Sequence, residues 1–232
     1  MRCGRRWLGF CVALFWSVLL ADSARALSVS DFSVAEVNNA TVFLSGNGLL
    51  EFSHFEFWLG DAPRDAFTLS VLDDGIRLTG PTSVADGAKA EFYFRYQVSV
   101  LGDGPLLNGV SLFAPSTISG DGFPVFAKSS KLVFPGTETE FFGQDDTILN
   151  LQAINFDDTH QDLVSGSFSP QQTIWVLDAI RLSSAQSGDS ASVESISNTY
   201  AVVPEPTTLA LLSLGLTGLA VASRHSRGNA PG

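Results

Sequence analysis

The chain has 232 residues, of which 45% are hydrophobic and 16% are charged, and its formal net charge is −11 at pH 7. This composition excludes a disordered protein, because 18 Phe residues and many aliphatic residues can bury a core. The negative charge argues against nucleic acid as a partner, since an acidic surface repels phosphate.

The first 26 residues have the pattern of a secretory signal peptide. Arginines precede an apolar run at residues 8–20, and Ala24 and Ala26 form an A-x-A cleavage site. The apolar run gives about 20 Å of helix, which is too short for a hydrocarbon core of about 30 Å. We therefore predict export through the secretion translocon and cleavage by signal peptidase, with a twin-arginine signal at residues 5–6 as the alternative.

Residues 27–200 form the predicted mature ectodomain. Both cysteines, Cys3 and Cys11, lie in the signal peptide, so this domain has no disulfide, thiolate metal site or cysteine nucleophile. Seven basic and 22 acidic residues lie between Leu27 and Val203, so the formal charge of this segment is −15. Without disulfides, the fold of this domain must be stabilised by its hydrophobic core, by backbone hydrogen bonds between strands or by bound ions.

The secondary-structure signal of the ectodomain is β. Hydrophobic and polar residues alternate from Ala88 to Val100, which predicts a strand with one buried face. Two shorter alternating runs flank the turn sequence Asp73-Asp74-Gly75, so residues 67–78 predict a hairpin. Further strand-like runs lie at residues 110–114, 125–134, 147–156 and 174–182.

The alternation changes phase near Ser53 and His54. Hydrophobic residues occupy even positions up to Phe52 and odd positions from Phe55 onward, which predicts a β-bulge or a break between two strands. No stretch of the ectodomain has sustained helical periodicity. We therefore predict an all-β fold, an antiparallel β-sandwich of the jelly-roll or immunoglobulin-like type.

Catalytic patterns are weak in the ectodomain. His54 and His160 are its two histidines, and no G-x-S-x-G sequence accompanies them. Acidic pairs of the kind that glycosidases use arise by chance in so acidic a chain. We predict a protein that is not an enzyme, with a secreted hydrolase as the least favoured alternative.

Hard oxygen ligands cluster at residues 155–162. Asp157, Asp158 and Asp162 could bind calcium weakly, although the segment lacks the glycine and closing glutamate of an EF-hand. Ordinary solvated turns are the alternative interpretation. We predict no obligatory cofactor.

Tyr93 is a candidate for glycan stacking, because it lies on the polar face of its predicted strand. Trp58 and Trp175 could belong to the same platform. The alternative is that these aromatic side chains are core residues.

A second apolar segment lies at residues 207–222 and carries no charge. Its sixteen residues give about 24 Å of helix, enough for a thin bilayer, and Arg224 and Arg227 follow it. We predict a single transmembrane helix with a basic cytoplasmic tail at 223–232. A buried amphipathic helix is the alternative, but leucines surround the helix instead of forming one stripe.

Pro204, Glu205 and Pro206 stand directly before that segment. Together with the apolar span, the basic tail and the N-terminal signal, this arrangement resembles the PEP-CTERM sorting signal of exported bacterial proteins. The resemblance places the motif at 203–206 within a sorting region at 201–232. It implies an inner-membrane-tethered precursor that an exosortase processes near the Pro-Glu-Pro sequence.

These features predict a non-enzymatic structural or interaction protein of the cell envelope or extracellular matrix. It would be secreted, tethered to the inner membrane and then delivered to the cell surface or matrix. The alternative is a carbohydrate-binding module for the organism's own exopolysaccharide.

Overall fold

The computed structural model describes residues 28–102, 105–120, 125–136, 147–156, 159–204 and Leu214. The described residues form strands numbered in chain order as β1 (Ser28–Ser33), β2 (Phe43–Leu44), β3 (Leu50–Trp58), β4 (Thr68–Leu72), β5 (Gly75–Thr79), β6 (Ser83–Ala85), β7 (Lys89–Val100), β8 (Leu106–Phe113), β9 (Ser116–Ser119), β10 (Phe126–Pro135), β11 (Leu149–Phe156), β12 (Thr159–Gln161), β13 (Leu163–Gln171), β14 (Thr173–Ser183), β15 (Ser190–Val193) and β16 (Ser195–Val203).

A short 3-10 turn at Arg64–Ala66 interrupts this all-β part of the chain. The predicted signal peptide at 1–26 lies outside the described residues, as does the predicted transmembrane segment at 207–222 apart from Leu214. Among the residues that are described, we find no helix with the length and apolar character to cross a membrane.

The strands form two large antiparallel sheets and a small one. The six-stranded sheet has the order β1-β4-β5-β16-β8-β13, and the seven-stranded sheet has the order β12-β11-β10-β14-β7-β3-β2. The small sheet has the order β6-β15-β9. The two large sheets pack face to face, as contacts between their side chains show: Phe52 and Tyr96 of the seven-stranded sheet both contact Tyr200 of the six-stranded sheet. The predicted antiparallel β-sandwich is confirmed.

Strand pairing in the sandwich is nested. The innermost pair is β10 with β11, followed outward by β8 with β13, β7 with β14 and β5 with β16. This pattern arises when one long antiparallel hairpin folds over so that its paired strands are divided between two sheets. That is the jelly-roll arrangement. Immunoglobulin domains instead group their strands as ABED and CFG. The topology therefore selects the jelly-roll type from the two predicted types.

Alternation of hydrophobic and polar residues along the strands places the hydrophobic core between the two large sheets. Along β7 the side chains alternate between buried and partly exposed, as the sequence predicts for 88–100. The buried side of this strand consists of Phe92, Phe94, Tyr96, Val98 and Val100. Its partly exposed side includes Tyr93, Arg95 and Gln97. The predicted hairpin at 67–78 is also confirmed, because β4 and β5 pair in antiparallel register.

A bulge interrupts β3 at the predicted position. Ser53 pairs with Gln97 and Glu56 pairs with Arg95, so β3 has one residue more than β7 between these two pairs. His54 has a φ of 57°, the left-handed conformation that commonly accompanies such an insertion. The bulge lets Phe52 and the phenylalanines after it face the same core despite their opposite parity.

Several strands have no clear sequence signal. The edge strand β13 is rich in Ser and also contains Gly and Pro, and the central strand β16 is rich in Ser, Asn and Thr, all residues that also occur in turns. Strand β16 forms because its backbone is paired on both sides, with β5 and with β8. Its residues Ile196, Asn198 and Tyr200 are buried in the core.

Candidate functional site

Two of the predicted stacking residues lie side by side on the outer face of the seven-stranded sheet. Trp58 of β3 pairs directly with Tyr93 of β7. The Trp58 side chain is 50% exposed, whereas Tyr93 is half-buried. Side chains directly opposite in an antiparallel pair lie about 4.5–5.5 Å apart at Cβ, so these two side chains leave the sheet next to each other.

Charged groups border this aromatic pair. The Tyr93 hydroxyl donates a hydrogen bond to Glu91 Oε2 at 2.5 Å, and Arg181 Nε lies 3.5 Å from Glu91 Oε1. A hydrogen bond with Tyr93 raises the pKa of Arg181. We call these four residues, Trp58, Glu91, Tyr93 and Arg181, the aromatic patch. It combines the half-exposed indole of Trp58 and the half-buried ring of Tyr93 with charged hydrogen-bonding groups.

Trp175 does not join the aromatic patch. Its side chain is only 8% exposed, and the Arg95 guanidinium lies 4.4 Å from the centroid of its ring. The His54 ring meets it edge-on at 5.6 Å. Arg95 also forms an ion pair with Glu56 at 3.3 Å, and burial lowers its pKa. Because Trp175 is covered, the predicted platform of three aromatic residues reduces to Trp58 and Tyr93.

The predicted calcium ligands are only partly described. Asp157 and Asp158 lie outside the described residues. Asp162 Oδ1 accepts hydrogen bonds from the Ser116 backbone N–H at 3.3 Å and from its hydroxyl at 3.4 Å. Asp162 Oδ2 lies 3.0 Å from His160 Nε2. Across the described residues, no three His, Cys, Asp or Glu side chains are grouped so that they could hold a metal ion. Weak calcium binding stays a prediction.

The two histidines lie in separate places. His54 Nδ1 lies 3.0 Å from Ser53 Oγ, and the ring of His160 pairs with Asp162. Neither histidine therefore joins a serine to a carboxylate within the described part of the chain. The hydrolase alternative gains no support from these contacts.

The described chain ends at the predicted sorting motif. Pro204 is exposed and follows β16 directly, whereas Glu205 and Pro206 lie outside the described residues. The predicted signal-peptidase site at Ala24 and Ala26 and the basic residues Arg224 and Arg227 also lie outside them.

The sandwich core contains a polar cluster that the sequence did not lead us to expect. Lys131 of β10 and Asp178 of β14 are cross-strand partners, with Nζ 2.8 Å from Oδ1 and both side chains 0% exposed. Tyr96 of β7 and Asn198 and Tyr200 of β16 complete what we call the buried polar cluster. Asn198 Nδ2 donates to Asp178 Oδ2 at 2.6 Å, and the two tyrosine hydroxyls lie 2.5 Å apart.

Burial dominates the electrostatics of the buried polar cluster. It raises the pKa of Asp178 and lowers the pKa of Lys131, although each of the two charges opposes the shift of the other. Burial also raises the pKa of Tyr96 and of Tyr200 well above the ordinary value, and the adjacent Asp178 adds to both shifts. Burial therefore shifts the pKa of the acid and the pKa of the amine toward each other.

A weak sequence signal for this cluster did exist. Lys131 shares the parity of Ala127 and Val133, and Asp178 lies between Val176 and Ile180 on the buried face of its strand. A polar residue at a buried position of an alternating strand requires a partner. The sequence cannot identify that partner, because the partner belongs to another strand.

Comparison with known proteins identifies one motif in this chain. The family model described as the PEP-CTERM protein-sorting motif matches residues 202–227. No curated protein matches the chain. Similar solved structures include one described as "CBM4 structure and function", with a TM-score of 0.30 and 8% identity over 66% of this chain and 87% of that chain.

A second similar structure is described as "Structure of TmCBM61 in complex with beta-1,4-galactotriose at 1.4 A resolution". It has a TM-score of 0.29 and 8% identity over 63% of this chain and 88% of that chain. The match at residues 202–227 confirms the predicted resemblance and begins at the end of β16. The chain therefore carries a PEP-CTERM protein-sorting motif, which indicates an exported, membrane-anchored precursor that an exosortase sorts to the cell surface.

Proposed function

We propose that this protein is a non-enzymatic component of the cell envelope or extracellular matrix, released from its membrane tether by exosortase processing. The observation that carries the proposal is the position of the motif. The matched segment begins at Val202, and Pro204 follows the last residue of β16. Cleavage near the Pro-Glu-Pro sequence would therefore free the jelly roll with all of its described strands.

The composition of the ectodomain supports this role. Residues 27–203 carry a formal charge of −15 and contain no cysteine. A strongly charged surface keeps a secreted protein soluble, and the absence of thiols makes its fold independent of the redox state outside the cell. Delivery in this proposal uses the secretion translocon, signal peptidase, the inner membrane and the exosortase, in that order.

Fractionation of the native cells, combined with mass spectrometry, tests the proposal. The wild-type chain should be recovered at the cell surface or in the matrix with a new C-terminus near residues 204–206. Replacing Pro204, Glu205 and Pro206 with alanine should leave the unprocessed precursor in the inner membrane. Glu194→Ala, an exposed substitution upstream of the matched segment, is the control and should be processed normally. Recovery of the wild-type ectodomain in the cytosol would contradict the proposal.

A second candidate function is binding of the organism's own exopolysaccharide through the aromatic patch. The observation that favours it is the exposure of Trp58 directly opposite Tyr93, with Glu91 and Arg181 alongside. Half of the Trp58 surface is exposed, so this indole is available to a ligand. Sugar rings stack on such side chains, and the flanking charged groups can bond their hydroxyls.

Binding to purified exopolysaccharide tests this second candidate. We expect Trp58→Ala and Tyr93→Ala each to raise the Kd about tenfold, which corresponds to about 1.4 kcal/mol. Phe113→Ala is the matched control, because Phe113 is an aromatic residue, 42% exposed, on the six-stranded sheet. Equal binding by all three variants and the wild type would exclude the aromatic patch as the sugar site.

A further inference from the structure

The buried polar cluster connects the two sheets of the sandwich. Lys131 belongs to β10 in the seven-stranded sheet, and Asn198 belongs to β16 in the six-stranded sheet. Both residues are 0% exposed. An amine and a carboxamide from opposite sheets therefore meet in the dry interior of the domain.

Asp178 lies between these two groups. Its Oδ1 is 2.8 Å from Lys131 Nζ, and its Oδ2 is 2.6 Å from Asn198 Nδ2. The Tyr96 hydroxyl also accepts hydrogen bonds from both nitrogens, at 3.4 Å from Nζ and 2.8 Å from Nδ2. Two shared partners hold the amine and the amide as neighbours.

Stability alone is a poor explanation for this arrangement. Replacing a buried ion pair by apolar residues is often neutral or stabilising, because the desolvation cost offsets the attraction. Asn198 Oδ1 is buried and accepts no hydrogen bond from the residues that the structure describes. A buried amide oxygen without a partner costs free energy, so the asparagine is not there simply to complete a network.

We propose that Lys131 and Asn198 form an intramolecular isopeptide bond, with Asp178 as the catalytic acid and base. Lys131 Nζ attacks Cγ of Asn198 as a neutral amine. The carboxyl of Asp178 gives its proton to the departing Nδ2 and takes a proton from Nζ. The Cγ–Nδ2 bond breaks, and the products are a secondary amide and one molecule of ammonia. Asp178 returns to its starting form, and no oxidant or reductant is needed.

The surroundings favour the protonation states that this reaction requires. Attack needs an unprotonated amine, and expulsion of ammonia needs a protonated carboxyl. Burial shifts the pKa of Lys131 downward and that of Asp178 upward, toward these two forms. Exclusion of water also keeps hydrolysis from competing with attack by the amine.

The isopeptide bond would give this exported domain a covalent cross-link. The ectodomain has no cysteine, so disulfide bonds cannot cross-link it. A Lys131–Asn198 amide would link β10 to β16 covalently and so join the two sheets. Residue 198 also lies only a few positions before the sorting motif, so the link would anchor the strand next to the processing point.

Mass spectrometry of the full-length chain purified from cells that export it tests the proposal. The denatured wild-type protein should weigh one ammonia less than its processed sequence requires. Trypsin should leave Lys131 uncut and release a branched peptide that joins the Lys131 segment to the Asn198 segment. Lys131→Met and Asp178→Asn should each restore the full mass. Lys128→Met, on the same strand, should retain the ammonia deficit.

The decisive measurement is made on the wild type, so it does not depend on the folding of any variant. A wild-type protein with the full sequence mass and two linear peptides would overturn the proposal. Loss of water with a branch between Lys131 and Asp178 would overturn it too, because the carboxyl would then be the acceptor and not the catalyst. An ammonia deficit that persists in Lys131→Met would exclude Lys131 as the nucleophile.

Discussion

Deletion of His54 tests the register of β3. His54 is the extra residue of the bulge, between the Ser53–Gln97 pair and the Glu56–Arg95 pair. Without it, the residues on either side would alternate continuously, and the phenylalanines of β3 would still face the core. We therefore expect the deletion to convert the bulge into a regular ladder.

The expected change in the free energy of unfolding is small, because two effects of similar size oppose each other. The left-handed backbone of His54, with φ at 57°, costs about 1–2 kcal/mol, and deletion removes this strain. Deletion also removes the edge contact of His54 with Trp175 at 5.6 Å, which is worth about 0.5–1.5 kcal/mol. The net effect should lie between a gain in stability of about 1.5 kcal/mol and a loss of about 0.5 kcal/mol.

Deletion of Glu56, two positions further along β3, is the matched control. It retains the bulge and reverses the parity of the residues that follow. Phe57 would turn toward solvent, and the half-exposed Trp58 would enter the packed core. Lost burial of about 1.5–3 kcal/mol and overpacking of about 1–3 kcal/mol together destabilise the fold by at least about 2.5 kcal/mol.

Urea unfolding of the purified proteins measures both deletions. With an m-value of about 2 kcal/mol/M, the Glu56 deletion should lower the midpoint by about 1.2 M or more, and the His54 deletion should lower it by no more than about 0.25 M. If both deletions lowered the midpoint equally, His54 would not be the inserted residue and the assigned register would be wrong.

Two further predictions concern single substitutions. Gly75→Ala should destabilise the domain by about 1–3 kcal/mol, because the added Cβ would collide with the backbone carbonyl oxygen of Asn198 on the adjacent strand; a wild-type melting temperature would contradict this. Burial, together with the charge of Asp73, raises the pKa of Asp74 above its ordinary 3.8. The folded state therefore binds this proton more tightly than the unfolded state, so stability falls as pH rises through the raised pKa. Asp74→Asn should make the melting temperature less dependent on pH above about 4, and an unchanged pH profile would exclude Asp74 as its source.

Local chain geometry explains why much of the fold was predictable. Side chains of a strand alternate between two faces, so the buried face of 88–100 is visible in the order of the residues alone. The same logic located the bulge, because an inserted residue shifts the parity of every residue after it. Strand β16 had no such signal, since Ser, Asn and Thr occupy positions that its two neighbouring strands stabilise.

The aromatic patch was predictable in part. The sequence placed Tyr93 on the outer face of its strand, and the structure agrees. It grouped Trp58 with Trp175, but these residues differ because Arg95 and His54 cover only Trp175. How far a side chain is exposed depends on the side chains of the neighbouring strands. No single segment of the sequence shows which strands will be neighbours.

By itself, the sequence determined the strand periodicity, the acidic and cysteine-free character of the ectodomain, and the PEP-CTERM sorting motif. These are properties of contiguous segments, and each can be interpreted without knowing what lies beside it. The tertiary structure alone decided that Lys131, Asp178 and Asn198 meet in the core. They belong to three strands in two sheets, so the local pattern could mark Lys131 and Asp178 as polar residues on buried faces but could not show that they meet each other and Asn198.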